Sequence, residues 1–80
     1  MLTIYSKNNC PFCVRAKQLL ESKGVPYTEV NIENDPESRQ MLLDSGLKSV
    51  PQIFNGYELI EGGFNGLAKK PAEFFQLLKG

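Results

Sequence analysis

The first half of the chain alternates apolar and polar positions in a way that predicts a strand, a helix and a second strand. Residues 2–5 are apolar and rich in β-forming side chains, and the polar run 6–9 ends them. From residue 11 to 23, apolar residues recur at three- and four-residue spacing between a proline suited to the first helical turn and a capping glycine, Gly24. Residues 26–32 alternate again, and a strand that returns after such a helix predicts a βαβ unit with two parallel strands.

The next segments predict a second helix and a β-hairpin. Asp35-Pro36 places a capping oxygen before a proline, so a helix is expected from about residue 36 to 45, where Gly46 can end it. Residues 51–54 and 57–60 are rich in β-forming side chains. The dipeptide between them, Asn55-Gly56, tolerates the positive φ angles of a two-residue hairpin loop, so these strands are expected to be antiparallel neighbours.

The C-terminal part predicts one more helix. Gly62-Gly63 ends the last strand, and after a turn the apolar positions in 72–78 predict a helix that starts near Pro71 and belongs to the core. The predicted order is βαβαββα, an α/β fold, with no internal repeat. Eighty residues suffice for one core, and we expect a single domain over residues 1–80.

Composition and charge exclude several classes of protein. Hydrophobic residues make up 41% and charged residues 22%, which is typical of a globular chain. The formal net charge is zero, so we expect neither a nucleic acid nor an anionic membrane as a partner, and we expect a monomer. Since no apolar run approaches the roughly 20 residues that span a bilayer, and residues 1–5 lack a signal-peptide pattern, a cytoplasmic location is expected.

The candidate chemistry lies in Cys10-Pro11-Phe12-Cys13, which stands where a strand's loop becomes a helix. The free N–H groups and dipole of the first turn stabilise an anion at Cys10 and so lower the pKa of its thiol. Lys7, in the same loop, adds a smaller effect. Cys13 follows one turn later, within the Cα separation of about 4.4–6.8 Å that a disulfide accepts. We therefore expect Cys10 to be the nucleophile and the less exposed Cys13 to resolve the mixed disulfide, with Pro11 stiffening the turn.

Three other uses of the cysteine pair were considered. A zinc site normally needs four ligands, and the chain has no histidine and no third cysteine, so carboxylates would have to complete it. Haem attachment needs a histidine after the second cysteine, but Val14 stands there. A structural bridge over so short a loop contributes only about 2 kcal/mol and is reduced in the cytosol. The βαβ context favours a thioredoxin-like redox motif over the zinc site and the structural bridge.

With the cysteine pair, the βαβ unit, Val50-Pro51 and Gly62-Gly63 in place, the sequence resembles the glutaredoxin family over nearly its whole length. The family motif is commonly Cys-Pro-Tyr-Cys, and this chain has phenylalanine in the third position. The resemblance implies a thioredoxin fold with a four-stranded mixed sheet flanked by helices, and a cis peptide before Pro51. It implies a thiol–disulfide oxidoreductase that reduces protein disulfides and glutathione mixed disulfides, with glutathione as co-substrate and no bound cofactor.

The resemblance also implies where glutathione binds. Its backbone lies along Val50 with its sulfur at Cys10, its carboxylate end near cations, and its γ-glutamyl end near the residues after the glycine pair. Cations and backbone N–H groups suit a carboxylate-bearing tripeptide, and glycine permits close approach. Phe12 is expected either at the rim of this site or in the core. The expected substrate-binding residues are Lys7, Phe12, Arg39, Gln40, Val50, Pro51, Gly63, Phe64 and Asn65, with no metal ligand.

One segment departs from the family pattern. Many glutaredoxins follow the glycine pair with a small residue and two aspartates, one of which pairs with the amino group of glutathione, whereas this chain has Phe64-Asn65-Gly66. A neutral amide binds an ammonium less strongly than a carboxylate does, so weaker glutathione binding is expected. The Gly-Phe sequence resembles glutaredoxin-like hydrogen donors for ribonucleotide reductase, which thioredoxin reductase recharges. A further alternative is an iron–sulfur carrier or non-catalytic binding module using Cys10, against which the rigid Pro11 argues.

Overall fold

The computed structural model describes all residues, Met1–Gly80. Four strands and four helices follow one another along the chain. No helix combines the length and the apolar character needed to cross a bilayer. The elements are β1 (Leu2–Ser6), α1 (Pro11–Ser22), β2 (Tyr27–Asn31), α2 (Pro36–Asp44), β3 (Gln52–Asn55), β4 (Glu58–Ile60), α3 (Gly63–Ala68) and α4 (Ala72–Leu78).

The strands form one mixed sheet in the order β2-β1-β3-β4. β1 and β2 are parallel, with Leu2 opposite Tyr27, and α1 supplies the crossover connection that a parallel pair needs. β3 is antiparallel to both β1 and β4. The α/β class and the four-stranded mixed sheet are therefore confirmed. Because β1 is central, its C-terminal end delivers the chain directly to the cysteine motif at the start of α1.

The hairpin between β3 and β4 forms one residue later than predicted. Asn55 pairs with Glu58, so the two loop residues are Gly56 and Tyr57 rather than Asn55 and Gly56. Gly56 has a φ of +62°, and Tyr57 is not among the residues with positive φ. A glycine at the first central position followed by an ordinary residue is the φ pattern of a type II′ hairpin, which leaves Asn55 in the strand.

The structure contains a fourth helix, α3, where the sequence predicted a turn, so the order is βαβαββαα. Gly62 is its N-cap with a φ of +90°, and this left-handed residue turns the chain out of β4. Gly66 lies against the backbone of Glu61, where a Cβ atom would overlap the carbonyl oxygen. Leu67 is fully buried and anchors the helix to the core. Gly62 thus starts a short helix, and Gly66 allows that helix to pack against the backbone of Glu61, where a loop had been predicted.

The core lies between the sheet and the helices α1, α3 and α4. β1 buries alternate residues on this face, beginning with Leu2 and Ile4. Fully burying each side chain of this kind contributes about 1.5–3 kcal/mol. Phe75 of α4 belongs to the same cluster, as predicted for the C-terminal helix, but Leu77 of that helix is 86% exposed and was wrongly predicted to be core. The cluster consists of Leu2, Ile4, Ala16, Leu20, Val25, Ile53, Ile60, Leu67 and Phe75.

Candidate active site

A disulfide between Cys10 and Cys13 occupies the start of α1. Cys10 is the N-cap of the helix, and its Sγ accepts a hydrogen bond from the backbone N–H of Cys13 at 3.2 Å. The two Cα atoms are 5.2 Å apart, within the range predicted for the pair. Cys10 is 8% exposed and Cys13 2%, so the first sulfur is the nearer to solvent. The helix N-terminus therefore directs an N–H donor at the more accessible sulfur.

The loop before Cys10 is held by a network of polar side chains. Asn8 donates from its backbone nitrogen and from Nδ2 to the Glu33 carboxylate, at 3.0 and 3.1 Å, and its Oδ1 accepts from Asn31 at 2.9 Å. Asn9 has a φ of +55°, the one non-glycine residue in the left-handed region. Asparagine tolerates this conformation better than most residues. The network fixes the turn that brings Cys10 to the helix terminus.

The segment opposite the disulfide ends in a cis peptide bond between Val50 and Pro51, as the resemblance implied. The carbonyl oxygen of Val50 lies 3.9 Å from Sγ of Cys10. Val50 takes part in no hydrogen bond with another backbone group. Gln52 secures the segment by donating from Nε2 to the carbonyl oxygen of Ser49 at 2.8 Å. A backbone segment without a backbone hydrogen-bond partner thus lies beside the sulfur.

A cavity of about 400 Å³ lies on one side of this segment. Phe12 is 49% exposed, and its ring centroid is 6.2 Å from that of Phe64, so Phe12 forms a rim of the cavity and not a core anchor. The cavity brings together six of the predicted binding residues: Phe12, Val50, Pro51, Gly63, Phe64 and Asn65. Sequence reasoning missed the other lining residues: Leu47, Ser49, Gln52, Leu59, Glu61 and Gly62.

A second cavity of about 720 Å³ lies on the other side of the segment and shares Leu47, Ser49 and Val50 with the first. The predicted residues Lys7 and Arg39 line it with Val50. Its cationic character is greater than predicted, because Lys48 lines it as well. The one carboxylate, Glu33, already accepts two hydrogen bonds from Asn8. The other lining residues that sequence reasoning missed are Ile32, Leu42, Leu43, Leu47, Lys48 and Ser49.

Gln40 is the one predicted binding residue that lines neither cavity. Its Nε2 donates to Oδ1 of Asp44, one turn later in α2, at 2.8 Å. Successive helical residues point about 100° apart, because one turn holds about 3.6 residues. The Gln40 side chain is turned towards Asp44, and of the two neighbours the structure brings only Arg39 to the cavity.

An ionic cluster links α1 to the two parallel strands. Glu29 Oε2 accepts from Lys17 Nζ at 2.8 Å and from Ser6 Oγ at 2.8 Å. The hydrogen bonds from Lys17 and Ser6, with the charge of Lys17, lower the pKa of the Glu29 carboxyl despite its partial burial. At the far end of α1, burial and a hydrogen bond to Glu21 raise the pKa of Tyr27 to about 12. No group of three or more His, Cys, Asp and Glu side chains is placed to hold a metal ion.

Comparison with known proteins identifies the family. The sequence profile of the family described as Glutaredoxin matches residues 2–60. The chain belongs to the glutaredoxin family. Glutaredoxin 3 of Escherichia coli (strain K12) is 47% identical over 60 residues, which cover 74% of this chain and 72% of that protein. This glutaredoxin is accordingly a thiol–disulfide oxidoreductase with a redox-active Cys10–Cys13 disulfide.

A solved structure and a second relative bear on the substrates of glutaredoxins. The crystal structure of a buckwheat glutaredoxin–glutathione complex matches with a TM-score of 0.76 and 25% identity, covering 95% of this chain and 72% of that one. The glutaredoxin-like protein NrdH of Lactococcus lactis subsp. cremoris (strain MG1363) is 36% identical over 53 residues, 66% of this chain and 74% of that protein. This glutaredoxin thus resembles both kinds of protein.

Proposed function

We propose that this glutaredoxin reduces protein disulfides and glutathione mixed disulfides by dithiol exchange, and that two molecules of glutathione restore its dithiol. The observation that carries the proposal is the position of Cys10 Sγ. It accepts the N–H of Cys13 at the start of α1 and lies beside the open backbone of Val50, which both cavities border. The sulfur that reduction would release at the helix start therefore lies beside a groove suited to an extended thiol peptide.

Cys10 acts as the nucleophile in this proposal. When the disulfide is reduced, the N–H of Cys13 and the dipole of α1 stabilise a thiolate at Cys10. That thiolate attacks one sulfur of the substrate disulfide, so a bond forms between Cys10 and the substrate. The substrate's own disulfide bond breaks, and its other sulfur leaves as a thiolate. The greater exposure of Cys10 supports this assignment.

Cys13 resolves the mixed disulfide. Its thiolate attacks Sγ of Cys10, which forms the Cys10–Cys13 bond and releases the second substrate sulfur as a thiolate. The Cα separation of 5.2 Å allows this bond without large movement of the backbone. Glutathione then reverses the same two exchanges, and each molecule gives up one electron as it becomes half of oxidised glutathione.

Glutathione is proposed to lie along Val50, its backbone pairing with the free N–H and C=O groups in the manner of an added strand. Its C-terminal glycine carboxylate faces Lys7 and Arg39 in the larger cavity. The γ-glutamyl end lies at residues 63–65 in the smaller one. Packing of the chain requires glycine at position 63, since a Cβ there would approach the carbonyl oxygen of Pro51 to 2.9 Å. The buckwheat complex, a glutaredoxin that holds glutathione, supports the proposal.

The proposal extends to the setting in which the chain works. One hydrophobic cluster draws on strands and helices from Leu2 to Phe75, which supports a single domain over residues 1–80. A reducing compartment such as the cytoplasm keeps the dithiol available for exchange. We propose that the domain acts there as a monomer.

A second candidate function is that of a hydrogen donor to ribonucleotide reductase, recharged by thioredoxin reductase. Two observations favour it. The helix α3 that borders the smaller cavity carries no carboxylate for the ammonium of glutathione, since it reads Gly-Phe-Asn-Gly-Leu-Ala. The Lactococcus relative is named a glutaredoxin-like protein NrdH.

The test compares the two sources of electrons on one disulfide substrate. Reduction of insulin is followed by NADPH oxidation, first with glutathione and glutathione reductase, and then with thioredoxin reductase alone. The Cys10→Ser variant measures the background of both systems. We expect turnover with the glutathione system. Turnover with thioredoxin reductase and none with glutathione would overturn the leading proposal in favour of the second candidate.

A further inference from the structure

The one salt bridge in the protein joins the helix of the cysteine motif to the edge strand β2. Lys17 of α1 and Glu29 of β2 approach to 2.8 Å, with side chains 26% and 37% exposed. Ser6, 1% exposed at the end of β1, donates its hydroxyl to the same Glu29 oxygen at 2.8 Å. A partly buried ion pair is thus tied to three elements, which fixes the position of both charges.

The cation of the cluster, Lys17, lies one helical turn after Cys13 on α1. Lys17 follows Cys13 by four residues, and side chains at this spacing lie on the same helix face with Cβ atoms about 5–6 Å apart. The helix returns along β1, as in any βαβ unit, so its first turns lie over the end of the strand, where Ser6 is. Cys13 is 2% exposed, so water screens its sulfur poorly from these charges.

The other charged groups on the elements around Cys13 face elsewhere. Arg15 of α1 lies over the exposed ring of Phe12, with Cζ 5.2 Å from the centroid. Glu21 accepts a hydrogen bond from Tyr27 at the far end of the helix. β1 and α3, which flank α1, carry no charged residue. Lys17, held by Glu29, is therefore the nearest charged side chain on the helix face that carries Cys13.

We propose that Lys17 and Glu29 are positioning residues that set the reactivity of Cys13 through opposing charges. Lys17 stabilises the Cys13 thiolate, and Glu29 holds Lys17 in place while offsetting part of its field. The proposal rests on the proposed role of Cys13 as the resolving thiol. In that step Cys13 loses its proton to water and attacks Cys10 Sγ. The Cys10–Cys13 bond forms, the bond from Cys10 to the substrate breaks, and the substrate thiolate takes a proton from water.

The direct test titrates Cys13 alone, in a Cys10→Ser background, by the ultraviolet absorbance of the thiolate. This measurement needs no substrate, so its outcome is independent of whether glutathione is the reductant. Lys17→Met removes the cation and is expected to shift the titration to higher pH. Glu29→Gln leaves the cation unopposed and is expected to shift it to lower pH. The double variant is expected to titrate near the parent.

The opposite signs separate an electrostatic role from a structural one. Both single substitutions remove the same ion pair, so thermal unfolding is expected to show a loss of stability in each. Shifts of the Cys13 titration in the same direction, or no shift in either variant, would overturn the proposal. Lys69→Met and Glu73→Gln are the matched controls, since they remove exposed charges in the C-terminal part of the chain. Both are expected to leave the Cys13 titration unchanged.

The kinetic test uses protein that retains both cysteines. Reduced protein is mixed with bis(2-hydroxyethyl) disulfide, a neutral probe, and release of the second 2-mercaptoethanol reports resolution by Cys13. At neutral pH, Lys17→Met is expected to slow this step by about threefold, because it lowers the fraction of Cys13 present as thiolate. Glu29→Gln is expected to accelerate the step by a similar factor, because the larger thiolate fraction outweighs the accompanying loss of nucleophilicity. Changes of the same sign in both variants would contradict the proposal.

Discussion

The carbonyl oxygen of Val50 lies 3.9 Å from the sulfur of Cys10, although 40 residues separate the two in sequence. The contact joins the start of α1 to the segment before β3, which has no backbone partner at Val50. A thiol that bonds to Cys10 therefore lies beside free N–H and C=O groups and between two cavities. One cavity has aromatic walls and the other carries Lys7, Arg39 and Lys48. The proposed selectivity for a carboxylate-bearing thiol follows from this arrangement.

The cationic cavity predicts an effect of Lys7 on glutathione and not on neutral disulfides. Lys7→Met is expected to raise the KM for a glutathione mixed disulfide by about threefold, since an exposed ion pair contributes about 0.2–1 kcal/mol. Single-turnover rates with bis(2-hydroxyethyl) disulfide serve as the comparison and are expected to change less. Lys69→Met controls for the loss of a surface charge. An unchanged KM would remove Lys7 from the proposed site.

The missing carboxylate in α3 predicts a gain of affinity. Asn65→Asp places a negative charge at the proposed position of the glutathione ammonium and is expected to lower the KM by about threefold at low salt. The gain should fade as ionic strength rises, because the site is exposed. Gln76→Glu, exposed on α4, adds the same charge away from both cavities. If both variants behave alike, the γ-glutamyl end does not bind at residues 63–65.

Gly66 predicts a reversal of the usual helix preference. Alanine in place of a helical glycine ordinarily stabilises by about 0.5–1 kcal/mol. At Gly66 the added Cβ overlaps the carbonyl oxygen of Glu61, so Gly66→Ala is expected to destabilise by about 1–3 kcal/mol. Urea unfolding measures the difference, with Asn65→Ala on the exposed side of the same helix as control. A Gly66→Ala protein at least as stable as the parent would mean that α3 is not seated on Glu61.

The ionic cluster predicts how stability depends on acid pH. The pKa of Glu29 is lowered in the folded protein below its ordinary value of 4.5, so its contribution to stability is present above that value. The contribution is lost as the pH falls through the folded-state pKa. Urea unfolding measures the free energy of unfolding of the parent and of Glu29→Gln. The difference between the two values is therefore expected to become smaller as the pH is lowered. Glu73→Gln, an exposed control, should show a smaller change, and a gap that is constant with pH would contradict the assignment.

The fold was largely predictable because its signals are local. Asp35 caps α2 by accepting from the N–H of Ser38, as its place before Pro36 predicted. The helix α3 was missed because Gly62-Gly63 indicates the end of a strand and a turn, and not the start of a helix. The spacing of Phe64 and Leu67 is a helical signal, but two apolar residues are too few to outweigh two glycines. Burial of Leu67 against the core, a tertiary effect, decides the outcome.

The site was less predictable, because it depends on how elements turn towards one another. Six predicted residues line the smaller cavity. They were predictable because each lies in or next to the cysteine motif, Val50-Pro51 or Gly62-Gly63. Gln40 does not reach the site, because its amide pairs with Asp44, whereas Arg39 lines the larger cavity. Glu61 and Lys48 line the cavities without any motif of their own. Only their proximity to the glycine pair and to Val50-Pro51 marked them in the sequence.

The most direct test of the account is intact-protein mass spectrometry of two cysteine variants after incubation with oxidised glutathione. By mass, Cys13→Ser is expected to gain one glutathione on Cys10. In activity assays it is expected to keep exchange with glutathione mixed disulfides and to lose efficient reduction of protein disulfides. Cys10→Ser is expected to gain none and to transfer no thiol. A Cys10→Ser protein that acquires glutathione and remains active would contradict the assignment of Cys10 as the nucleophile.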